Sequence, residues 1–388
     1  MFHRLPISFV ILTLALQGVT LAKNNLIQSA EDFAELLPSV QPGDTIIIAD
    51  GQYDGWSINL DGRGTADHPI TIQPQSPNGV TFTGRTHFQI TGSYIHMTGF
   101  LFDGCDMADI SPIEFDRSEY CRVSKSTFQH CEGNRPAVDI LPGARNNQVI
   151  ENRFIDIAGR SVRVRINEDI YDHGILTHNL IQNNQFQDIP PLGGNGRETI
   201  KVGTSQPVYG HIKTYTVVEG NTFLRCNGEG EIISNKCSGN TYRGNTFLDC
   251  QGELVMRGGA YCLIEGNRFM GCRGGIRLSG THHTVKDNVI INSTGTGIRL
   301  LYGMTKEQGG HYQAVSHCKI IHNTIINAGR AGILIGDGRN RDWQEKGIQN
   351  IAPEGNSFQY NLISGSTSDL IIADHAPNNL IENNILRK

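Results

Sequence analysis

Along most of the chain an asparagine is followed, two residues later, by Phe or an aliphatic residue inside a short run of alternating polar and apolar positions. The copies read Asn152-Arg-Phe154, Asn184-Gln-Phe186, Asn221-Thr-Phe223, Asn245-Thr-Phe247, Asn267-Arg-Phe269, Asn288-Val-Ile290 and Asn323-Thr-Ile325. Weaker copies follow at Asn361-Leu-Ile363 and Asn384-Ile-Leu386. Successive asparagines are 32, 37, 24, 22, 21, 35, 38 and 23 residues apart. A base period of 21–24 residues with insertions of 8–16 marks a repeat architecture, one coil per copy. Leucine-rich repeats have similar periods, but their leucine framework is missing. The expected fold is all-β: a single-stranded, right-handed parallel β-helix. Asparagine suits its turns because it tolerates left-handed backbone and bonds its neighbours. At about 4.8 Å per coil, roughly a dozen coils would make a rod near 60 Å long.

Ahead of the repeats, Ala30-Glu-Asp-Phe33-Ala-Glu-Leu36-Leu37 has the spacing of an amphipathic helix, and Thr45-Ile-Ile-Ile48 that of a strand. Such a helix would cap the open N-terminal end of the rod. Residues 155–180, 187–215, 300–317 and 337–352 break the period and are expected as loops on the rod, where binding groups concentrate. The cysteines fit the repeat. Cys131, Cys226, Cys250 and Cys272 each lie three residues after the repeat Phe, where other coils carry Ile157, Ile189, Ser293 and Ala328. Cys121, Cys262 and Cys318 share a second position, five before the repeat Asn or its Ser126 equivalent. Positions that accept Cys, Ile and Ala alike face a core, so buried thiols are expected, with a disulfide between neighbouring coils as the rival. Zinc is not expected, because no Cys-x-x-Cys pair accompanies them.

Composition narrows the class. The 388 residues include 45 Gly and 31 Asn, 18% are charged, 38% are apolar and the net charge is -5. That excludes a disordered chain, a coiled coil and a polytopic membrane protein. His3 and Arg4 precede an apolar run from Ile7 to Leu16, with small residues at Thr20-Leu21-Ala22, which is the pattern of an export signal over residues 1–22. Removing it takes away one Arg and no acid, so -5 becomes -6. Residues 23–388 are then expected as one β-helix domain, secreted or periplasmic and free of the membrane. A mildly acidic protein has no global attraction for nucleic acid or for an acidic polymer, so any anion site must be local.

Such a site is visible in the middle coils. Asn227-Gly-Glu229-Gly-Glu231-Ile-Ile-Ser-Asn-Lys236 places two carboxylates on one face of an extended segment. Hard oxygen ligands of this kind suit Ca²⁺, with Asn195 from the preceding coil as a third donor. Glycines on both sides of Glu229 let backbone or ligand approach. The competing reading is a pair of solvated surface acids. Lys236, Arg257, Arg277 and Arg299 are 21, 20 and 22 residues apart, so they are expected to stack as one cationic column. Like charges at strand spacing repel, which a polyanion in a groove would relieve; separate pairing of each cation with an acid is the alternative.

Three segments around these residues resemble the active-site coils of polysaccharide lyase family 6: Gly228-Glu-Gly-Glu-Ile-Ile-Ser-Asn-Lys236, Asn240-Thr-Tyr-Arg-Gly-Asn-Thr-Phe247 and Gln251-Gly-Glu-Leu-Val-Met-Arg257-Gly-Gly259. Asn195-Gly-Arg-Glu-Thr-Ile-Lys-Val-Gly203 and Pro42-Gly-Asp-Thr-Ile-Ile-Ile-Ala-Asp-Gly-Gln-Tyr53 are similar to further parts of that family, and the likeness spans about residues 24–388. The family comprises alginate lyases and chondroitinase B-like dermatan sulfate lyases. The resemblance implies that Asn195, Glu229 and Glu231 hold Ca²⁺, that Lys236 is the Brønsted base and Arg257 the acid, and that Lys201, Arg277 and Arg299 bind an anionic polysaccharide. Alginate is the first expectation and dermatan sulfate the second. The chain departs from several members at Gly258, where they carry His directly after the arginine.

The chemistry is consistent with that carry-over. Eliminating the 4-O-linkage of a uronate removes a weakly acidic C5 proton, and a cation on the neighbouring carboxylate offsets the charge that develops. A lysine serves as base only where its surroundings favour the neutral amine. A guanidinium scarcely deprotonates, so the arginine stabilises charge at the bridging oxygen, with water passing the proton. A pectin-type hydrolase on the same fold, needing paired acids one water apart, and a non-catalytic glycan-binding rod are the readings from other classes. An unsaturated sugar, a reducing sugar without unsaturation, or neither product separates the three.

Overall fold

The computed structural model describes residues 22–167, 177–204, 210–304, 312–344, 347–368, 371–373, 375–376 and 378–387. The export signal expected over residues 1–22 falls, but for Ala22, outside them. The repeat folds as its period predicts. One coil runs Val217–Glu219 in a first sheet, Thr222–Leu224 in a second and Glu231–Asn235 in a third, and Thr241–Arg243 then returns to the first. Repetition builds three sheets of 14, 13 and 12 strands, and every pairing between named strands is parallel, as in a right-handed parallel β-helix.

In-register pairing turns each repeated residue into a column through the rod. Phe128 pairs with Phe154, Phe154 with Phe186, Phe186 with Phe223, and Phe223 with Phe247. From Phe102 to Phe269 the rings stack at 4.4 to 4.9 Å between centroids, all fully buried. The asparagines form a ladder. From Asn152 through Asn184, Asn221, Asn245, Asn267, Asn288, Asn323 and Asn361 to Asn384, each Nδ2 donates to the next Oδ1 at 2.8 to 3.1 Å. A second bond from the same nitrogen satisfies a carbonyl of the preceding coil, such as Val218 O at 2.9 Å from Asn245.

The expected reason for asparagine was half right. The left-handed residue of each turn is the one before it: Glu151, Asn183, Gly220, Gly244, Gly266, Asp287, His322, Tyr360 and Asn383, with φ between 53° and 65°. The repeat asparagine itself is kept for its two-ended amide, which satisfies buried backbone at every coil boundary.

The helix forms over Ala30–Leu36, with Ser29 and Asp32 bonding each other's backbone as a capping box. Its Phe33 is fully buried and meets Trp56 edge-on at 6.4 Å, closing the N-terminal end of the core. All nine cysteines are buried free thiols, as the repeat positions implied for seven of them. The irregular stretches carry more structure than expected: Ala158–Val164 and Ile200–Val202 are strands of the third sheet.

Candidate active site

The site lies on the outer face of the third sheet. Register aligns Asp139, Arg163, Lys201, Ser234, Val255, Arg277 and Arg299 across successive strands. Lys236 and Arg257 follow the paired residues Asn235 and Met256. They therefore stand one above the other, two residues beyond that row. The expected single column is thus two parallel columns on one face. The 20-residue step from Arg257 to Arg277 is two short of the 22 that would have continued the first column.

Three carboxylates meet in front of Lys236. Ligand oxygens of Glu198, Glu229 and Glu231 lie within 4.8 Å of one another. Glu231 opens its strand, and Glu229 sits in the turn before it. There Gly228 is required, since a Cβ would come 2.5 Å from Arg197 O. Glu229 accepts from Arg197 N at 2.7 Å. Glu198 comes from the preceding coil and was not singled out from the sequence, although it stands inside the family-like segment directly before the Ile200–Val202 strand. Asn195, three residues upstream of it, is exposed.

The charges are differently compensated. Burial works to raise Glu198, but Lys236, Lys201 and Arg160 outweigh it and hold its carboxyl down at about 2. Its ion pairs are 3.0 Å to Lys236, 2.9 Å to Arg160 and 3.9 Å to Lys201. Burial likewise opposes ionisation of Glu231, and Arg277, Arg257 and Lys236 overcome it. Glu231 pairs with Arg277, lies 3.5 Å from Arg257 and accepts from Ser234 Oγ. Glu229 is raised, by burial first and then by the charge of Glu198. Among the described residues no cation pairs with Glu229, so it is the member of the cluster that a bound cation would relieve most. Burial, reinforced by Lys236, lowers Lys201 to about 8.

The cations are not a row of unmatched charges. Arg299 makes two bonds to Glu253 at 2.8 and 2.5 Å and one to Asp337 at 2.6 Å, so the alternative of separate ion pairs holds there. Arg277 gives one nitrogen to Glu231, while its Nε is buried with no hydrogen-bond partner. Tyr312 and Gln313 pack across Arg257 and Gly259. The Tyr312 ring lies 5.1 Å from the Arg257 guanidinium, and Gln313 Oε1 accepts from Gly259 N at 3.0 Å. A Cβ on Gly258 would lie 3.5 Å from that same Oε1, so Gln313 occupies the space a larger residue at 258 would enter. No repeat pattern announces Tyr312, Gln313, Glu253 or Asp337; the irregular stretches 300–317 and 337–352 were the only signal for three of them.

The chain is similar to known proteins over most of its length. A chondroitinase B family profile fits residues 27–386. No curated protein matches the chain in sequence. A solved mannuronic acid specific polysaccharide family 6 lyase from human gut microbiota overlays at TM-score 0.81 and 27% identity, over 94% of this chain and 86% of that one. The family 6 alginate lyase AlyGC overlays at 0.83 and 26%, over 94% of this chain and 51% of its own, so the chain spans about half of that enzyme. Pedsa3628 from Pseudopedobacter saltans, at 0.82 and 24%, shares the fold over 93% and 92% of the two chains. The chain belongs to the chondroitinase B family, as the sequence resemblance implied, and it is a polysaccharide lyase with the parallel β-helix that the repeat predicts.

Proposed function

We propose that the chain cleaves alginate by β-elimination with Ca²⁺ as its metal, leaving unsaturated uronic-acid ends, with dermatan sulfate as the second candidate substrate. The observation that carries the reading is the meeting of Glu198, Glu229 and Glu231 with Lys236 and Arg257 on one cationic face. The similarity to a mannuronic acid specific lyase and to an alginate lyase supports alginate. So do cations on both sides of the carboxylates, which suit a polymer bearing a carboxylate on every ring. The resemblance contributes Asn195, Glu229 and Glu231 as metal ligands, and the geometry adds Glu198. A donor set of oxygens without imidazole or thiolate fits a hard divalent cation. When bound, Ca²⁺ acts as a Lewis acid on the uronate carboxylate.

The protein's own groups do the rest. Lys236 takes the C5 proton as the neutral amine, which requires that its 3.0 Å ion pair with Glu198 be released first. Arg257, seated on Tyr312 and 3.5 Å from Glu231, donates to the bridging oxygen as its bond to C4 breaks. Because a guanidinium keeps its proton, that role is electrostatic, with water delivering the proton. Lys201 and Arg277 bind polymer carboxylates beside the reacting ring, and Arg299 contributes through the wall it forms with Glu253 and Asp337. The signal-like residues 1–22 favour action in the periplasm or outside the cell, without a nucleic-acid or membrane partner.

The test is absorbance of the conjugated double bond on alginate and on dermatan sulfate, at matched Ca²⁺ and ionic strength. A higher kcat/KM on alginate is expected. A higher value on dermatan sulfate would overturn the substrate and leave the elimination standing. New reducing ends without absorbance would make the chain a hydrolase.

A further inference from the structure

Inside the rod, behind the catalytic face, two core columns each break their apolar pattern once. In the third sheet, the inward positions Val164, Val202, Met256, Leu278 and Leu300 are in register with Asn235, which falls between Val202 and Met256. In the first sheet, Ile181, Val218, Ile264, Val285 and Ile320 are in register with Tyr242, which falls between Val218 and Ile264. Asn235 and Tyr242 are fully buried, and they bond each other. We propose that Asn235 is a positioning residue for the elimination: from the interior it ties the backbone around Lys236 to the backbone around Arg257 and so sets the spacing of the two catalytic side chains. The inference rests on the roles proposed above for Lys236 and Arg257.

The bonds of one amide carry the argument. Asn235 Nδ2 donates to Cys237 O at 2.8 Å, just beyond Lys236, and to Gly258 O at 3.0 Å, just beyond Arg257. The main-chain carbonyl of Asn235 accepts from Arg257 N at 2.8 Å. Lys236 is thus enclosed between Asn235 and a carbonyl that Asn235 holds, and Arg257 between two groups bonded to the same residue. On its other side, Asn235 Oδ1 accepts from Tyr242 Oη at 2.9 Å and from Asn240 Nδ2 at 2.8 Å. Asn240 is fixed in turn by Thr214 Oγ1 at 2.7 Å and Thr216 N at 2.8 Å, which belong to the preceding coil. With both donors and both lone pairs engaged, the amide has a single orientation.

Fold maintenance alone does not call for this network. Neighbouring coils make the same turn out of the third sheet with Val, Met or Leu at this position, and aliphatic residues there avoid the desolvation of buried polar groups. The exception falls where Lys236 and Arg257 stand on adjacent strands. Proton removal at C5 and bond breaking at C4 need both groups in place at once, and misplacement by about 1 Å costs on the order of 10²-fold.

The test separates positioning from packing. Asn235→Val installs the residue found at Val164 and Val202 of the same column. It should lower kcat on alginate roughly tenfold or more and leave KM within about twofold, because the amide faces away from the substrate. Dermatan sulfate replaces alginate if the wild-type protein prefers it. Leu278→Ala, a core truncation in the same column, should lower Tm and leave kcat within about twofold. In an Arg257→Ala background, Asn235→Val should cost less than about a further threefold, since one of the two groups it aligns is gone. Tyr242→Phe removes one hydroxyl and keeps the ring in the core, so it carries the test if Asn235→Val does not fold; its kcat should fall by roughly threefold to tenfold. Unchanged kcat in the folded variant, or an equal fall in Leu278→Ala, would overturn the inference. Normal turnover in Lys236→Ala would instead remove the role on which it rests, so the two failures are distinguishable.

Discussion

Replacing Asn245 by leucine tests whether the asparagine ladder, and not the apolar core alone, holds successive coils in register. Asn245 is fully buried. Its Oδ1 accepts from Asn221 N and Asn221 Nδ2, both at 3.0 Å, and its Nδ2 donates to Val218 O at 2.9 Å. Leucine has the same branching but is bulkier, leaves no room for a water and removes these three bonds together with the Nδ2 bond to Asn267 Oδ1 at 3.0 Å. Asn267 Oδ1 keeps the backbone N–H of residue 245 as a donor. Each of the three orphaned groups costs about 1–3 kcal/mol, and the added apolar burial returns about 1–2 kcal/mol. The net loss is then about 1–8 kcal/mol, near 4–5 at mid-range. With an unfolding entropy of about 2.1 cal/mol/K per residue over roughly 360 residues, the mid-range value lowers Tm by about 6 °C. Differential scanning calorimetry at a single scan rate measures it. The same change at Asn384, only partly buried in the last coil, should cost less than half as much, because water replaces the lost partners. Lys319→Ala, on the exposed face of the first sheet, should leave Tm within about 1 °C. An Asn245→Leu protein melting with the Lys319→Ala control would refute the argument and leave the phenylalanine stack as the source of register.

Three further outcomes follow from the site and the core. Lys236→Ala and Arg257→Ala should each lower turnover about 10²-fold or more with the fold retained, and near-normal turnover in Lys236→Ala would move the base to another residue. Chelation should abolish double-bond formation and added Ca²⁺ restore it; full activity in a protein shown to be metal-free would remove the metal from the reaction. His283 is fully buried, near Ser279 O at 3.1 Å and Cys262 N at 3.2 Å, and burial lowers its pKa from 6.5 to about 4. Its folded pKa lies below the unfolded one, so its stabilisation is complete above about pH 6.5 and is lost as pH falls through about 4, on the order of 3 kcal/mol. Tm between pH 7 and pH 4 should therefore fall less steeply in His283→Leu than in the parent, and parallel curves would contradict this.

The repeat made the architecture legible because a parallel coil converts distance along the chain into position on the rod. Residues one period apart must stack, so Asn221, Asn245 and Asn267 could be aligned without coordinates, and so could the phenylalanines two residues after them. The cysteines read as core for the same reason. Glu229, Glu231, Lys236 and Arg257 were accessible because they occupy two adjacent coils of nearly unmodified length, where spacing alone places them together. Only the tertiary structure decided what depends on turns of variable length. The two-residue offset of Arg277 and Arg299 from Lys236 and Arg257 is set by the strand register, 21 and then 22 residues between paired positions, against which the 20-residue step from Arg257 to Arg277 falls two short. The capture of Arg299 by Glu253 and Asp337, and of Lys236 by Glu198, joins residues 46, 38 and 38 positions apart whose side chains choose partners by reach and burial. Tyr312, Gln313 and Trp343 arrive on irregular segments whose path is set by packing against the finished rod. A repeat specifies its own stacking and nothing about what folds back onto it.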